Sequence, residues 1–574
     1  MVLCRENTNS MSKSNQGEAD ILLFNARIVT VNSDFSIEEA VAIKGDRIAA
    51  VGSNSYVKQF SGSKTVQIDL GGRTVIPGLN DAHYHFLNRA ARAYFGIRLD
   101  QYTSINQILT AIRKKVISSK PGRIIISNAG NGAELLEEGR TPTLAELDEV
   151  APDNPVVLTF EDGWHVNSKM MELAGISNDV QTPPKGRIER DESGRLTGVF
   201  AGSAQKLLKG DGSGATGEAG NYTDNELYKA FKWGQKLLAS KGVTSYRNPS
   251  LRPNEMLVYQ RLWERSELTV RVAMDIYVDH ERQSVSEFLA ELQGWGVKQP
   301  FGDEWLRISG VSELWIDQST DGMLNSWNYK KIPPVGEGVD NYRGIQRIST
   351  GKLSEIMVGL NRSGWRPLLH AGGDRAVDIA IEAFEAADKQ GSISGKRWVL
   401  DHAHYGQDHH ISKVKALDVI VGMQYHAYMY YPIFAEFHGK EEATHLFPVR
   451  QWLDGGITIA GGSDYSQVPV NLFEGIFFFV TRQTQKWGPI GLDHSVSREE
   501  ALRMFTINAA YQTFEEKIKG SLEAGKLADL LILNDDYLTV DDNSLRNLYP
   551  VCTIVGGKAA YIHPGQNFEL PTCQ

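Results

Sequence analysis

Cysteine is nearly absent. Three occur in 574 residues, Cys4, Cys552 and Cys573, all close to the ends. That excludes a disulfide framework for the body of the chain. It also excludes a cysteine-built zinc knuckle, so any bound metal must be held by histidine and carboxylate. A reducing, cytoplasmic compartment is the simplest home for such a chain. Long apolar runs are missing too. None approaches the ~18 residues of a membrane-spanning helix; the richest are short stretches such as GIFFFV. The first 18 residues lack the apolar core of a signal peptide and read as a loose tail. Positive charge is not in surplus: 60 Lys and Arg face 70 Asp and Glu, for a net charge of −10. No basic stripe stands out, which argues against nucleic acid as a partner. Internal repeats and low-complexity blocks are also lacking.

What is present is two kinds of pattern. Residues 20–75 alternate β-branched and polar positions with Gly, Asn and Asp between them, as in ADILLFNARIVTVN and TVQIDLGGRTVIPG. The same short-strand pattern returns in ADLLILNDDYLTV and VCTIVGGKAAYI. Residues 19–75 and 516–574 are therefore expected to form one small β-sandwich domain from both termini. Between them, over 76–515, short apolar runs alternate with helical stretches such as AVDIAIEAFEAADKQG and SREEALRMFTINAAYQTF. Strand–helix alternation implies parallel strands joined by crossover helices. The run before His83 and seven later runs make eight strands, the number of a closed TIM-like (β/α)8 barrel in an α/β protein. Residues of about 90–235 are too many for one crossover and are expected to form a subdomain inserted after the first barrel strand.

Active groups of such a barrel stand at the carboxyl ends of its strands. The first strand runs into His83 and His85, two apart and so on one face. The fourth ends near Glu313 and Asp317, the fifth in His370, and the sixth in Asp401 and His402. The seventh ends in Gln424 and His426, and the eighth, GITIAGGSD, in Asp464. Each alone has an ordinary explanation, since a strand-end histidine is usually hydrogen-bonded structure and an Asp after GGS usually caps a turn. Together they are imidazoles and carboxylates that a barrel brings to one centre, the ligand types that suit zinc and related divalent ions.

Seven segments, from VIPGLNDAHYH through TPTLAELDEVAPDNPVVL, HVNSKMMELAGI, HAGGDRAVDIAIEAFE, VLDHAHY and GGSDYSQVP to GSLEAGKLADLLILNDD, carry a resemblance in order and spacing. The chain resembles the amidohydrolase superfamily, in particular amidohydrolase family 3, the group that includes formamide deformylases. The resemblance implies a divalent metal, zinc first, with one or two ions per chain. His83, His85 and Asp464 would hold one ion, His370 and His402 a second, and a group on the fourth strand would bridge them. Relatives usually carry a lysine at that bridge, four residues before an Asp-Gly pair. Here Glu313 stands four residues before Asp317 and Gln318 replaces the glycine. Glu313 either bridges two ions directly or supports a single one. EDGWHVNS is also shorter than its usual counterpart, which leaves the role of His165 open.

The activity implied is hydrolysis of a C–N amide bond in a small molecule. A metal lowers the pKa of bound water toward ~7 and polarises a carbonyl, and Asp464 is the expected carrier of both proton steps. The same site also suits ester hydrolysis, decarboxylation or isomerisation, and a non-catalytic barrel relative is the other alternative. Asp401 and Asp374 are expected either to orient imidazoles or, for Asp374, to cap the following helix. QYHAYMYYPIFAEF, read as a loop after the seventh strand, is rich in aromatic residues. It suggests a moderately hydrophobic, even aromatic, substrate meeting Tyr425, His426 and Tyr428, with Trp164, His165 and Trp315 beside them; packing against the inserted subdomain explains the same residues. VNLFEGIFFFVTRQTQ reads as a buried helix. For assembly, a homodimer is the commonest symmetric choice.

Overall fold

The computed structural model describes residues 17–129, 136–160, 163–183, 186–208, 222–465 and 468–573. The tail up to residue 16, with Cys4, and Glu161 and Asp162 of the shortened segment lie outside the described residues. Eight parallel barrel strands run in sequence order: β1 (Leu79–Asp81), β2 (Val243–Leu251), β3 (Arg271–Ile276), β4 (Leu306–Trp315), β5 (Pro367–Ala371), β6 (Val399–His402), β7 (Ile420–Gln424) and β8 (Ile459–Gly462). The seam between β8 and β1 is bridged by Ala82 N–H donating to Gly461 O and Asp464 N–H donating to His83 O. These strands are almost wholly buried, because parallel strands are covered on both faces and so read as apolar runs. Helices cover the outside. Asp374–Asp388 turns Ala376, Val377, Ala380, Ile381 and Phe384 inward at three- and four-residue spacing.

The run before His83 supplies the first barrel strand only from Leu79, the structure dividing it at Gly78. Thr74–Pro77 instead joins a six-stranded sheet, pairing with Leu530–Leu533 and Arg27–Val29. A four-stranded sheet of Ile21–Phe24, Ala40–Lys44, Arg47–Gly52 and Val66–Asp69 packs over it. Ile21, Val41 and Ile48 of one sheet share a core with Val75, Leu530 and Ile554 of the other. Both termini thus build one small sandwich. It is tied to the barrel by a bidentate pair, Arg271 to Asp529, at 2.7 and 2.9 Å.

Between β1 and β2 lies a five-stranded sheet made from residues 125–202, with its own apolar cores. Helices Phe86–Phe95 and Asp224–Ser240 flank it in the chain and pack on the barrel through Phe86 and Phe231, whose rings lie 5.3 Å apart. The aromatic stretch after β7 is not a loop: Ala427–His438 is a helix. Its apolar residues are taken into the barrel core, and that packing overrides the break expected at Pro432. Leu472–Thr481 is the expected buried helix. Among the described residues, no helix is long and apolar enough to cross a membrane.

Candidate metal centre

Glu313 is the hub of the site. One carboxylate oxygen, Oε1, lies 3.1 Å from Nε2 of His83 and 3.3 Å from Nε2 of His402; the other, Oε2, lies 3.3 Å from Nε2 of His85. The Nε2 atoms of His83 and His85 are 3.4 Å apart. Asp464 Oδ1 faces both at 3.8 and 3.7 Å. Residues from the first, fourth, sixth and eighth strand ends therefore converge, and Glu313, His83 and His402 are almost fully buried. His402 and Asp464 have positive φ, 80° and 46°, a backbone region that non-glycine residues adopt uncommonly. Gly462 makes the closure fit. A Cβ there would come within 2.8 Å of His83 N and Cβ.

The charges support one another. Burial alone would raise the Glu313 carboxyl, but the charge on His83 and hydrogen bonds from His402, His83 and His85 hold it well below the usual range. Burial opposes a charged His83, yet Glu313, Asp401 and Asp464 lift it to about 10. Asp464 is likewise held low against burial by His83, His426, Arg89 and His85. A set of imidazoles drawn around carboxylates, with Nε2 atoms facing one another, suits a divalent cation. The donor atoms of His83, His85 and Asp464 lie within 4.8 Å of one another, as do those of His83, Glu313 and His402.

A second layer fixes this set. Asp401 Oδ2 lies 3.3 Å from Nδ1 of His83 and accepts from Arg247 Nη2 at 2.7 Å. Arg247 also donates to Asp275 at 2.7 Å and to Ala82 O. Asp401 thus serves the histidine on the first strand, not its chain neighbour His402. Asp81 accepts from the backbone N–H groups of His83 and Ser463. Arg89 clamps Asp464, donating to its backbone oxygen at 2.9 Å and to Oδ1 at 3.1 Å.

The other expected residues fall differently. His370 stacks on Trp315, with centroids 4.1 Å apart at 10°, and its Nδ1 lies 3.2 Å from Asp317 Oδ1. It lies beside His402 at 4.1 Å between centroids but belongs to no trio of mutually close donor atoms among the described residues. Burial, then His402, lowers its pKa. Asp374 accepts from Ser326 N and Oγ at the start of its helix and meets no imidazole among the described residues. His426 Nε2 is 3.5 Å from Asp464 Oδ2. Tyr425 is enclosed in the core, its hydroxyl donating to Asn471 O and its ring packed on Tyr465. Tyr428 is also buried, against Phe477. Trp164 packs on the core of the inserted sheet, and His165 lies edge-on to Phe160 at 5.0 Å.

Arg89, Arg247 and His404 were not assigned roles by their sequence pattern. Arg247 carried one usable signal, the single charge in the buried GVTSYRN strand. His404 stands in VLDHAHY, two residues after His402, a spacing that would put both on one side of an extended chain, although the strand ends at His402 and the backbone turns there.

A parallel eight-stranded barrel with histidines and carboxylates gathered at its carboxyl rim defines the class: a β/α barrel carrying a metal-type donor set. The model of the amidohydrolase family matches residues 67–561, and the chain belongs to that family, which makes it a hydrolase. It is 27% identical over 567 residues to N-substituted formamide deformylase of Arthrobacter pascens, covering 95% of this chain and 99% of that protein. Its fold is similar to that of a metal-dependent hydrolase from Pyrococcus horikoshii, with a TM-score of 0.71 at 23% identity over 91% and 99% of the two chains. It is also similar to that of the atrazine chlorohydrolase of Arthrobacter aurescens, solved with zinc, with a TM-score of 0.51 at 14% identity over 95% and 97%.

Proposed function

We propose that this hydrolase is metal-dependent and cleaves the C–N bond of an amide in a moderately hydrophobic small molecule. One observation carries the reading: the Glu313 carboxylate contacts the Nε2 atoms of His83, His85 and His402, with Asp464 facing the same point. The full-length similarity to a formamide deformylase supports an amide as the bond, and the zinc held by a fold relative supports zinc as the ion. His83, His85, Glu313, His402 and Asp464 would hold the cation. Bound there, a divalent ion supplies Lewis acidity, which brings the pKa of water toward ~7 and polarises a carbonyl.

The chain's own residues supply the rest. Asp464, ionised and gripped by Arg89, accepts the proton of the attacking water at a carboxylate oxygen and returns it to the departing nitrogen, which leaves poorly without it. His426, held against Asp464, donates to the oxygen on which charge develops. Part-buried Trp315, Tyr430 and Tyr431 provide apolar contact for the substrate. A panel of N-substituted formamides, N-acyl amino acids, aryl amides and esters tests the bond, with the highest kcat/KM expected on an amide. Asp464→Asn is expected to lower kcat at least ~100-fold while most metal stays bound. Undiminished turnover in that variant removes Asp464 from the proton steps, and turnover of esters alone removes the amide reading.

A further inference from the structure

We propose that a small polar cavity at the amino ends of β1 and β2 binds one monovalent anion of halide size, chloride in solution. The cavity is lined by Asn80, Thr244, Ser245, Lys519 and Asp529. The Glu313 cluster gathers at the carboxyl ends of the strands, so this inference does not depend on the metal-hydrolase reading. Asn80 belongs to β1, Thr244 and Ser245 to β2, and Asp529 directly precedes the sandwich strand Leu530–Leu533. An ion here would join the barrel floor to the sandwich.

All five lining side chains are more than nine-tenths buried. A volume of about 10 Å3 admits a single small occupant. The amide nitrogen of Asn80 has two hydrogens to donate and no hydrogen-bond partner. The Lys519 ammonium has three and spends one on Glu515 Oε2, 2.9 Å away. Asp529 is already engaged. Its Oδ2 accepts from Arg271 Nε at 2.7 Å, and its Oδ1 accepts from Arg271 Nη2 at 2.9 Å and from Gly556 N–H at 2.8 Å. Donors are therefore in surplus around the cavity, and a buried donor left unpaired is costly.

The balance of buried charge decides between water and an anion. Arg271 and Asp529 cancel. Glu515 is shared by two cations, Lys519 on Oε2 and Arg307 at 3.4 Å on Oε1, and Arg307 keeps a buried Nε without a partner. Glu304, which also acts on Arg271, is part-exposed and paired with Arg47. One positive charge is left over beside the cavity. Burial lowers the pKa of Lys519, Glu515 opposes that, and Arg271 adds to it. A water would satisfy the Asn80 amide but leave the charge; an anion satisfies both. Arg482, the other buried cation without a carboxylate partner among the described residues, needs no ion. Its guanidinium donates to three backbone oxygens, those of Ile490, Phe447 and Leu446, at 3.0, 3.1 and 2.7 Å.

The test uses the full chain, with bromide as the crystallographic probe. Crystals grown with sodium bromide and measured at the bromine edge are expected to show an anomalous peak within hydrogen-bond reach of Asn80 Nδ2 and Lys519 Nζ. In solution, replacing chloride by gluconate at equal ionic strength is expected to lower Tm by about 2 °C, as for an ion near 100 times its Kd. Asn80→Asp puts the missing negative charge into the cavity and is expected to lose both the peak and the dependence on halide. A cavity without a peak holds water only and overturns the proposal. A peak with the same Tm in both salts is binding at crystal concentration only and overturns it too, as does an Asn80→Asp variant that keeps the halide dependence of wild type. Should Asn80→Asp fail to fold, the wild-type peak and Tm decide.

Discussion

Replacing Arg247 with methionine tests the layer that holds His83. The guanidinium is fully buried and donates to Asp275, Asp401 and Ala82 O. Its loss does not strand both carboxylates equally. Asp275 keeps the hydroxyls of Ser309 and Ser312, and Arg366 stays 3.8 Å away. Among the described residues, Asp401 keeps His83 at 3.3 Å as its one close polar partner, and its Oδ1 has no hydrogen-bond partner to begin with. Removing one member of a buried pair costs about 3–5 kcal/mol, because a charge is left uncompensated. At about 2.1 cal/mol/K per residue, a chain of 574 residues that unfolds as one unit has an unfolding entropy of about 1.2 kcal/mol/K. The expected fall in Tm is then about 3–4 °C. If the stranded Asp401 charge is the cause, Arg247→Met with Asp401→Asn should be less destabilised than the two single changes summed, by at least ~1 kcal/mol. Calorimetry of the four proteins measures this, and elemental analysis alongside should show weaker metal retention by Arg247→Met. A Tm within 1 °C of wild type, or strict additivity in the double variant, refutes the charge argument.

Acid should weaken the fold through buried histidines. His438 donates from Nε2 to Thr320 O and accepts at Nδ1 from Asn325, and burial lowers its pKa to about 4 from 6.5. Its contribution is complete above pH 6.5 and is lost as pH falls from there through 4, about 3 kcal/mol in all. His410 and His494, lowered to about 4 by burial as well, act in the same direction. His438→Gln should therefore flatten the decline of Tm between pH 7 and 4.5, and a decline equal to that of wild type would sink the assignment. Gly462→Ala puts a Cβ within 2.8 Å of His83. It should cost about 1–3 kcal/mol through overpacking and lower metal content by elemental analysis; full metal content would contradict the close fit. Dialysis against a chelator should lower Tm by about 3 °C, as expected for a ligand near 1,000 times its Kd worth ~4 kcal/mol, and Zn2+ should restore it. An unchanged Tm would show that the cluster holds no ion tightly.

The barrel was legible in the sequence because parallel strands, covered on both faces, must be apolar runs, and seven of the eight runs became β2–β8. The first is only Leu79–Asp81, because Thr74–Asp81 is apolar for two reasons at once. Thr74–Pro77 is buried in the terminal sandwich and Leu79–Asp81 in the barrel wall, and hydropathy does not distinguish one core from another. The aromatic stretch after β7 failed for a related reason. Tyrosine signals a pocket and a core alike, and Tyr425 and Tyr428 went to the core. Strand-end chemistry was easier to read, since a histidine or carboxylate that ends an apolar run is conspicuous. What pattern cannot carry is which strand end a side chain serves. Asp401 adjoins His402 in the chain but holds His83, because β2 delivers Arg247 into the barrel interior between them. His404 shows the same limit from the other side. Its sequence neighbour His402 advertised the site, but what its Nδ1 meets is Met323, 81 residues away. Sequence spacing finds the donors; only the packing around each ring fixes which nitrogen is free to bind.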